Sequence, residues 1–463
     1  MKRFFVLILT LSLLLMSVGC GRNTDNPGND RADEQISSSK ENTVTENKTT
    51  ENEANENEAS DSDSETPIAD AGTGELKNLM DQINARDLEM NPDVERGNIA
   101  VTEFGIDLLK RSMVNGENVL ISPLSVLSAL VMTANGAREE TLAQMEDVFG
   151  MSVEELNCYL CWYLASLPQG ENYTLHVANS IWMNDHLRFT PRQEFLQTNA
   201  DYFGADIYTL PFDLAALDMI NGWVNEKTEG MIPEVLDRIP PEALVYLVNA
   251  LAFEAQWRRT YDAYQVYEGV FTKEDGTTQT VELMYSVEQV YVENEEATGF
   301  IKHYEDHAYA FVGLLPREGV SVEELVASLS GERLSALLDG AQYTMVDAAI
   351  PKFEVEYGVD LVPVLKNMGM VNAVDEELAD FTGMGTSTEG NLFIGRVLHK
   401  TFISVGEQGT KAGAVTVVEV PDSAGVLPAE MQIVYLDRPF VYLLIDCESG
   451  VPFFIGVMAG AEQ

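Results

Sequence analysis

The residue types that could do chemistry are few. His303 and His307 are spaced H-x-x-x-H, which could set two ligands on one helix face. No Glu follows His303, so this is not the zinc-protease pattern. Tyr304-Glu305-Asp306 lies between two strand-like runs and reads as a hairpin turn. Cys158-x-x-Cys161 sits in residues 153–167, an amphipathic helical run with Leu156, Leu160 and Trp162. A lone pair of thiols with no second Cys or His pair nearby reads as two cysteines on a core-facing helix. Cys447 ends a strand and has no evident partner. There is no Gly-rich phosphate loop, no nucleophile elbow and no Ser/His/Asp arrangement. No catalytic, metal or cofactor site is expected.

The segment that stands out spans residues 406–436. It runs Gly406-Glu407-Gln408-Gly409-Thr410-Lys411-Ala412-Gly413-Ala414, then Val415-Thr416-Val417-Val418-Glu419-Val420, then Pro421-Asp422-Ser423-Ala424-Gly425-Val426-Leu427-Pro428. Small and flexible residues give way to β-branched ones, then to turn formers. A β-branched window adds itself readily to a sheet. Exposed in a loop it is a liability, unless the loop is meant to become a strand. Thr410, Ala412, Ala414, Thr416, Val418 and Val420 share one parity and could face a core. Lys411 and Glu419, on the other parity, could face water.

Such a segment needs a sheet to receive it, and the patterning supplies one. Residues 99–113 place apolar side chains at Ile99, Phe104, Ile106, Leu108, Leu109 and Met113, an amphipathic helix. Val119-Leu120-Ile121 reads as a strand. Ser122 then suits an N-cap, Pro123 a first helical position, and Gly136 a helix end. Residues 173–183, 244–253 and 310–315 read as strands, as do 392–394, 402–405, 415–420, 440–445 and 453–457. Helices early and strands late in one long unit predict an α+β fold.

Composition bounds the partners. The 463 residues carry 28 Lys plus Arg against 75 Asp plus Glu, a net charge of −47. That field repels phosphates, so nucleic acid and anionic bilayer surfaces are excluded as partners. A hydrophobic fraction of 45% supplies a large core, and four cysteines exclude a disulfide-stapled scaffold. Lys2 and Arg3 precede an apolar run over residues 4–16, too short to span a membrane comfortably. The run ends at Ser17-Val18-Gly19-Cys20, which resembles the lipobox of a bacterial lipoprotein, although Ser17 stands where Leu is usual. Residues 1–19 are therefore expected to be a signal peptide and Cys20 a lipid attachment site; an ordinary cleaved signal is the alternative. Residues 20–74, rich in Asn, Glu, Ser and Thr, are expected to be a disordered tether. About 50 such residues have an r.m.s. span of roughly 40 Å. One domain is expected over residues 75–463.

The chain resembles a serpin. Asn118-Val119-Leu120-Ile121-Ser122-Pro123-Leu124-Ser125 with Gly136-Ala137 and Thr141, Ile220-Asn221-Gly222-Trp223-Val224 with Thr228-Glu229-Gly230, and Val248-Asn249-Ala250 with Phe253 and Trp257 resemble successive signatures of that family. Ile350-Pro351-Lys352-Phe353, Leu365-Lys366-Asn367-Met368-Gly369-Met370, His399-Lys400, Asp437-Arg438-Pro439-Phe440 and Phe453-Phe454-Ile455-Gly456 continue the series in order. The resemblance implies three β-sheets, about nine helices and an exposed reactive-centre loop, here about residues 407–436. It implies a suicide-substrate inhibitor of a serine protease, and not an enzyme. The cleaved loop inserts into the largest sheet and traps the acylated protease.

Carried onto this sequence, the resemblance makes Glu407, Gly409, Thr410, Ala412, Gly413, Ala414 and Thr416 the hinge. Ser122, Ser125, Asn249 and His399 become a shutter under the opening sheet, and Trp257 the breach tryptophan. Small hinge residues fit the inhibitory pattern, with Lys411 replacing the usual acid. The family's spacing counted from Glu407 puts the reactive bond at Ser423-Ala424. No Lys or Arg lies between Lys411 and Arg438, so a trypsin-like enzyme has nothing to grip. Small residues suit elastase-like or subtilisin-like proteases. The expected molecule is an exported monomer, held to a membrane only through its lipid or else secreted. The competing reading is a tethered binding or adhesion module that uses the same fold without trapping.

Overall fold

The computed structural model describes residues 76–239, 244–410 and 431–460. The expected signal peptide and tether, with Cys20, lie outside the described residues. So do residues 411–430, and with them Lys411, Ala412, Gly413, Ala414, Thr416, Ser423 and Ala424. Nine α-helices and three β-sheets are present among the described residues, the α+β serpin architecture.

The helices are α1 (Val94–Ser112), α2 (Pro123–Ala134), α3 (Glu139–Phe149), α4 (Val153–Ser166), α5 (Gln193–Phe203), α6 (Leu214–Lys227), α7 (Val322–Ser328), α8 (Gly331–Asp339) and α9 (Val362–Met368). The α2 start is as expected. Ser122 is extended, its hydroxyl accepts from the Ser125 N–H at 3.4 Å, and Pro123 is the first helical residue. Every residue of α2 is buried, so the helix lies inside the molecule. Its end also falls where Gly136 marks it, with Ala134 the last helical residue and Gly136 just past the cap, although the reason for the glycine is different. Asn135 is the cap and Gly136 is not left-handed; a Cβ there would collide with Met384, so close packing requires the glycine.

Seven strands build the central sheet: β1 (Lys77–Asn78), β2 (Tyr173–Asn184), β3 (Asp206–Leu210), β4 (Val245–Gln256), β5 (Phe353–Asp360), β6 (Arg396–Val405) and β7 (Gly409–Thr410). Their spatial order is β1-β3-β2-β4-β7-β6-β5. β4 is buried on both faces. Val245, Leu247, Leu251 and Phe253 enter the main core, and Tyr246, Val248 and Ala250 enter a second cluster with Ile220, Trp223 and Val224 of α6. Double burial explains the unbroken apolar run that marked this strand in the sequence. Asn221 fastens the segment after α6, accepting from the Val235 and Leu236 N–H groups at 2.9 Å each.

The second sheet has nine strands. Phe440–Asp446 lies between Tyr309–Pro316 and Pro452–Met458, every residue of all three buried. Gly385–Thr386 and Thr190–Pro191 form a short third sheet. The expected strands at 173–183, 244–253, 310–315, 402–405, 440–445 and 453–457 are all found within these elements, whereas 415–420 lies outside the described residues. Residues 392–394 are a correction. Leu392 and Ile394 are buried, yet the segment joins no ladder, and the Ile394 N–H instead donates to the Ala373 carbonyl at 2.8 Å. An apolar connector under a sheet carries the same signature as a buried strand.

The chain ahead of α1 is tied down at two points. β1 pairs antiparallel with β3, and Arg86 reaches Asp201 of α5. The Asp201 carboxylate is fully buried and accepts from the Arg86 N–H at 2.7 Å, the Arg86 Nε at 2.8 Å and Gln197 Nε2 at 2.8 Å. Asp201→Ala is expected to loosen this tie, because it removes the acceptor shared by Arg86 and Gln197. Limited proteolysis should then cut residues 76–92 faster than in the wild type. An unchanged cutting rate would show that Asp201 does not hold this segment.

Candidate functional site: a half-open sheet and its wedge

β4 and β6 are parallel neighbours at one end of the central sheet, in register from Tyr246 opposite Arg396 to Ala250 opposite Lys400. Beyond Lys400 they part. At the far end β7 stands between them, antiparallel to both: Gly409 faces Gln256, and Thr410 faces Ala255 on one side and Val405 on the other. Between the ladder and the wedge, residues 251–254 of β4 and 401–404 of β6 make no register pairs with each other. Their other edges are fully engaged, β4 with β2 and β6 with β5. The sheet therefore holds a slot whose walls are two strand edges in the middle of the molecule.

The wedge is fastened by backbone. Trp257 N–H donates to the Gln408 carbonyl at 2.8 Å, Tyr261 N–H to the Glu407 carbonyl at 3.0 Å, and Trp257 Nε1 to the Gly406 carbonyl at 2.8 Å. A Cβ on Gly409 would strike the Ala255 carbonyl oxygen, so only glycine passes there. Thr410 is 1% exposed and its hydroxyl bonds the Tyr304 hydroxyl. The inward parity read from the sequence is correct at this residue.

A polar cluster supports the same end. Trp257 stacks on Tyr304 with centroids 4.3 Å apart, and the Lys302 ammonium lies 5.3 Å from the Trp257 centroid and 4.4 Å from that of Tyr261. Lys302 is buried. Desolvation favours loss of its proton, but the Glu288 carboxylate at 2.9 Å outweighs this and holds its pKa above the ordinary value. Nearer the surface Glu407 pairs with Lys352 at 2.9 Å, and Lys352 also meets Glu282 at 3.1 Å.

Under the parallel ladder, His399 is fully buried and joins two elements. The Ser122 N–H donates to His399 Nε2 at 3.1 Å, so the proton sits on Nδ1, which donates to Asn249 Oδ1 at 3.1 Å. Burial pushes the His399 pKa down to about 3, so the ring is neutral. Asn249 Nδ2 and Ser125 Oγ are buried without a hydrogen-bond partner among the described residues.

The expected residues therefore meet in two groups. Trp257, Glu407, Gly409 and Thr410 meet at one end of the slot, and Ser122, Ser125, Asn249 and His399 beneath the other. Sequence reasoning missed Tyr304, read only as the start of a hairpin turn, and Lys302. Residues 299–302 are all buried and show no alternation, so no local pattern marked them. His303 and His307 do flank a turn, as expected, with rings 4.6 Å apart. Cys447 has a neighbour after all, His303 Nδ1 at 3.6 Å, and burial with nearby Asp446 pushes its thiol pKa up to about 12. Cys158 and Cys161 are half-buried on the flank of α4 rather than in the core, because Leu156, Tyr159, Leu160 and Tyr163 fill its inner face.

The family follows from this geometry and from comparison. The serpin (serine protease inhibitor) profile matches residues 99–460. A serpin-like protein of Thermococcus kodakarensis is 30% identical over 372 residues, covering 79% of this chain and 85% of that one. The leukocyte elastase inhibitor of Xenopus laevis is 29% identical, over 74% of this chain and 94% of that one. The thermophilic serpin tengpin in its native state superposes with a TM-score of 0.80 at 44% identity, over 83% of this chain and 99% of that one. Its latent state gives a TM-score of 0.71 over 81% and 100%. The chain belongs to the serpin family. Its class is that of protein inhibitors of serine proteases, not of catalysts.

The neutral, buried His399 sets a pH dependence. Its folded pKa lies below the ordinary value of about 6.5, so below that pH the unfolded chain binds a proton the folded one refuses. The contribution is complete above about pH 6.5 and falls toward pH 3, by at most about 1.4 kcal/mol per pH unit. His303, also lowered by burial, adds to the slope in the same direction. Urea unfolding at pH 7.5 and 5.5 should show the loss, and His399→Gln should flatten it. Equal slopes in both proteins would contradict the assignment.

Proposed function

We propose that this serpin is a suicide-substrate inhibitor of elastase-like or subtilisin-like serine proteases, cut at Ser423-Ala424 and trapping by insertion of residues 410–420 into the slot. The observation that carries the reading is β7 itself, two hinge residues standing as a strand between β4 and β6. Continuing its register sets Val420 opposite Val245, so the segment spans the whole of β4. The same register brings Thr416 between Asn249 and His399, the pair that now closes the ladder. The higher TM-score to the native than to the latent tengpin, at equal identity, supports an intact chain with its sheet still divided. The Xenopus relative named as an elastase inhibitor supports the protease class. We further propose a bacterial lipoprotein acylated at Cys20, exported and carried clear of the membrane on residues 20–74 as a monomer.

Insertion exchanges one short parallel ladder for two long antiparallel ones. A net gain on the order of ten hydrogen bonds, at roughly 0.5–1.5 kcal/mol each, is worth on the order of 10 kcal/mol. Cleavage within 420–426 should therefore raise the thermal transition, measured at one pH and scan rate. A lowered or unchanged transition would argue for the non-trapping binding module.

Incubation with pancreatic elastase and with subtilisin should give a complex that survives denaturing electrophoresis, with a released peptide beginning at Ala424. Cleavage without a complex would leave the binding module standing. Thr410→Arg puts a charge in a buried position, at a cost of several kcal/mol. That variant should still be cut while the complex disappears; normal complex formation would refute this insertion register.

A further inference from the structure

We infer that the segment gripping the hinge also forms a binding pocket for a small multivalent oxyanion of the phosphate class. A cavity of about 230 Å³ is lined by Arg258, Arg259, Gln289, His303 and His307, among others. In a chain with 75 acids and 28 bases, most cations have a carboxylate within reach. Arg258 and Arg259 have none among the described residues, although they are adjacent in sequence. Glu288 also lines the cavity, but its Oε1 is taken by Lys302 at 2.9 Å and by the Ser286 hydroxyl at 2.6 Å. Two forked guanidiniums, an amide and two imidazoles form a donor set for a compact anion. The imidazoles respond to the positive surroundings: after burial, the nearby Arg258 helps hold the His307 pKa below its ordinary value.

Residues 257–261, which present the two arginines, also hold the hinge. Residue 257 donates twice to the carbonyls of 406 and 408, residue 261 donates to that of 407, and the Arg259 carbonyl accepts from Lys302 at 3.2 Å. An anion bridging Arg258 and Arg259 braces this strap, so its occupancy changes how firmly Gly409 and Thr410 are held while the following residues enter the slot. The effect on inhibition rests on the insertion reading above, whereas binding does not.

The shared ligand chemistry has free and polymeric sources, and the −47 field favours the compact one. Calorimetric titration of the full chain uses inorganic phosphate, pyrophosphate and long-chain polyphosphate, at an ionic strength held constant with chloride. Saturable one-to-one binding of pyrophosphate or phosphate, weakened at least tenfold in R258Q/R259Q and partly kept in R258K/R259K, is expected. An R333Q control, which alters a guanidinium outside the cavity, should bind as the wild type does. No saturable heat, equal binding by R258Q/R259Q, or binding of polyphosphate alone would overturn the site. In the second arm, saturating pyrophosphate should change the rate of protease trapping severalfold in the wild type and not in R258Q/R259Q. Binding with an unchanged trapping rate would overturn the brace. Absence of any trapped complex would instead count against the insertion reading, and calorimetry would still decide the site.

Discussion

The structure depends on one unfinished pairing. β4 and β6 share five register pairs and then part, although each is a central strand with apolar side chains on both faces. Central strand edges are normally satisfied by a neighbour along their whole length. Here the ladder stops at Ala250 and Lys400, and a two-residue strand stands at the other end. Chain direction explains why the two halves do not zip together. β4 and β6 run parallel and β7 runs against both, so β7 completes two antiparallel ladders while its presence keeps β4 and β6 a strand's width apart.

That arrangement has to be held by something other than the ladder. The Trp257 and Tyr261 backbone N–H groups and the Trp257 indole fix the carbonyls of residues 406–408, and Thr410 is anchored by Tyr304 behind them. The buried Lys302–Glu288 pair stays charged because the carboxylate outweighs the desolvation of the ammonium. Its value is positional: Lys302 spans the rings of Trp257 and Tyr261 and the Arg259 carbonyl, so one ammonium sets three parts of the strap. The outer Glu407–Lys352 pair is about one-third exposed at each partner and contributes less.

Much of this was legible in the sequence, for physical reasons that differ by residue. Ser122 and Pro123 were readable because capping is local chemistry. β4 was readable because double burial leaves an apolar run, and Thr410 because parity along a strand is strict. Residues 392–394 misled because burial and strand pairing leave the same apolar trace. Gly136 marked the helix end correctly but for another reason, since a glycine demanded by a neighbouring side chain looks like one demanded by backbone conformation. Tyr304, Lys302 and the Arg86–Asp201 tie were invisible because each acts on a partner between 14 and 115 positions away, and no local pattern encodes that. The order of family motifs drew attention to residues 407–410 and to His399, but not to the seating of Gly409 and Thr410 as a strand in the sheet.

The His399 group bears on the proposed insertion through its unmet polar atoms. In the closed state His399 spends its Nδ1 proton on Asn249 and its Nε2 lone pair on Ser122. Asn249 Nδ2 and Ser125 Oγ are left without partners among the described residues, at full burial. An unmet buried donor costs about 1–3 kcal/mol. Under the proposed register the hydroxyl of Thr416 arrives between Asn249 and His399, able both to accept and to donate. The polar atoms beneath the ladder are thus better matched to three strands than to two. The same residues that latch the sheet shut would then favour its opening, once cleavage frees a strand to enter.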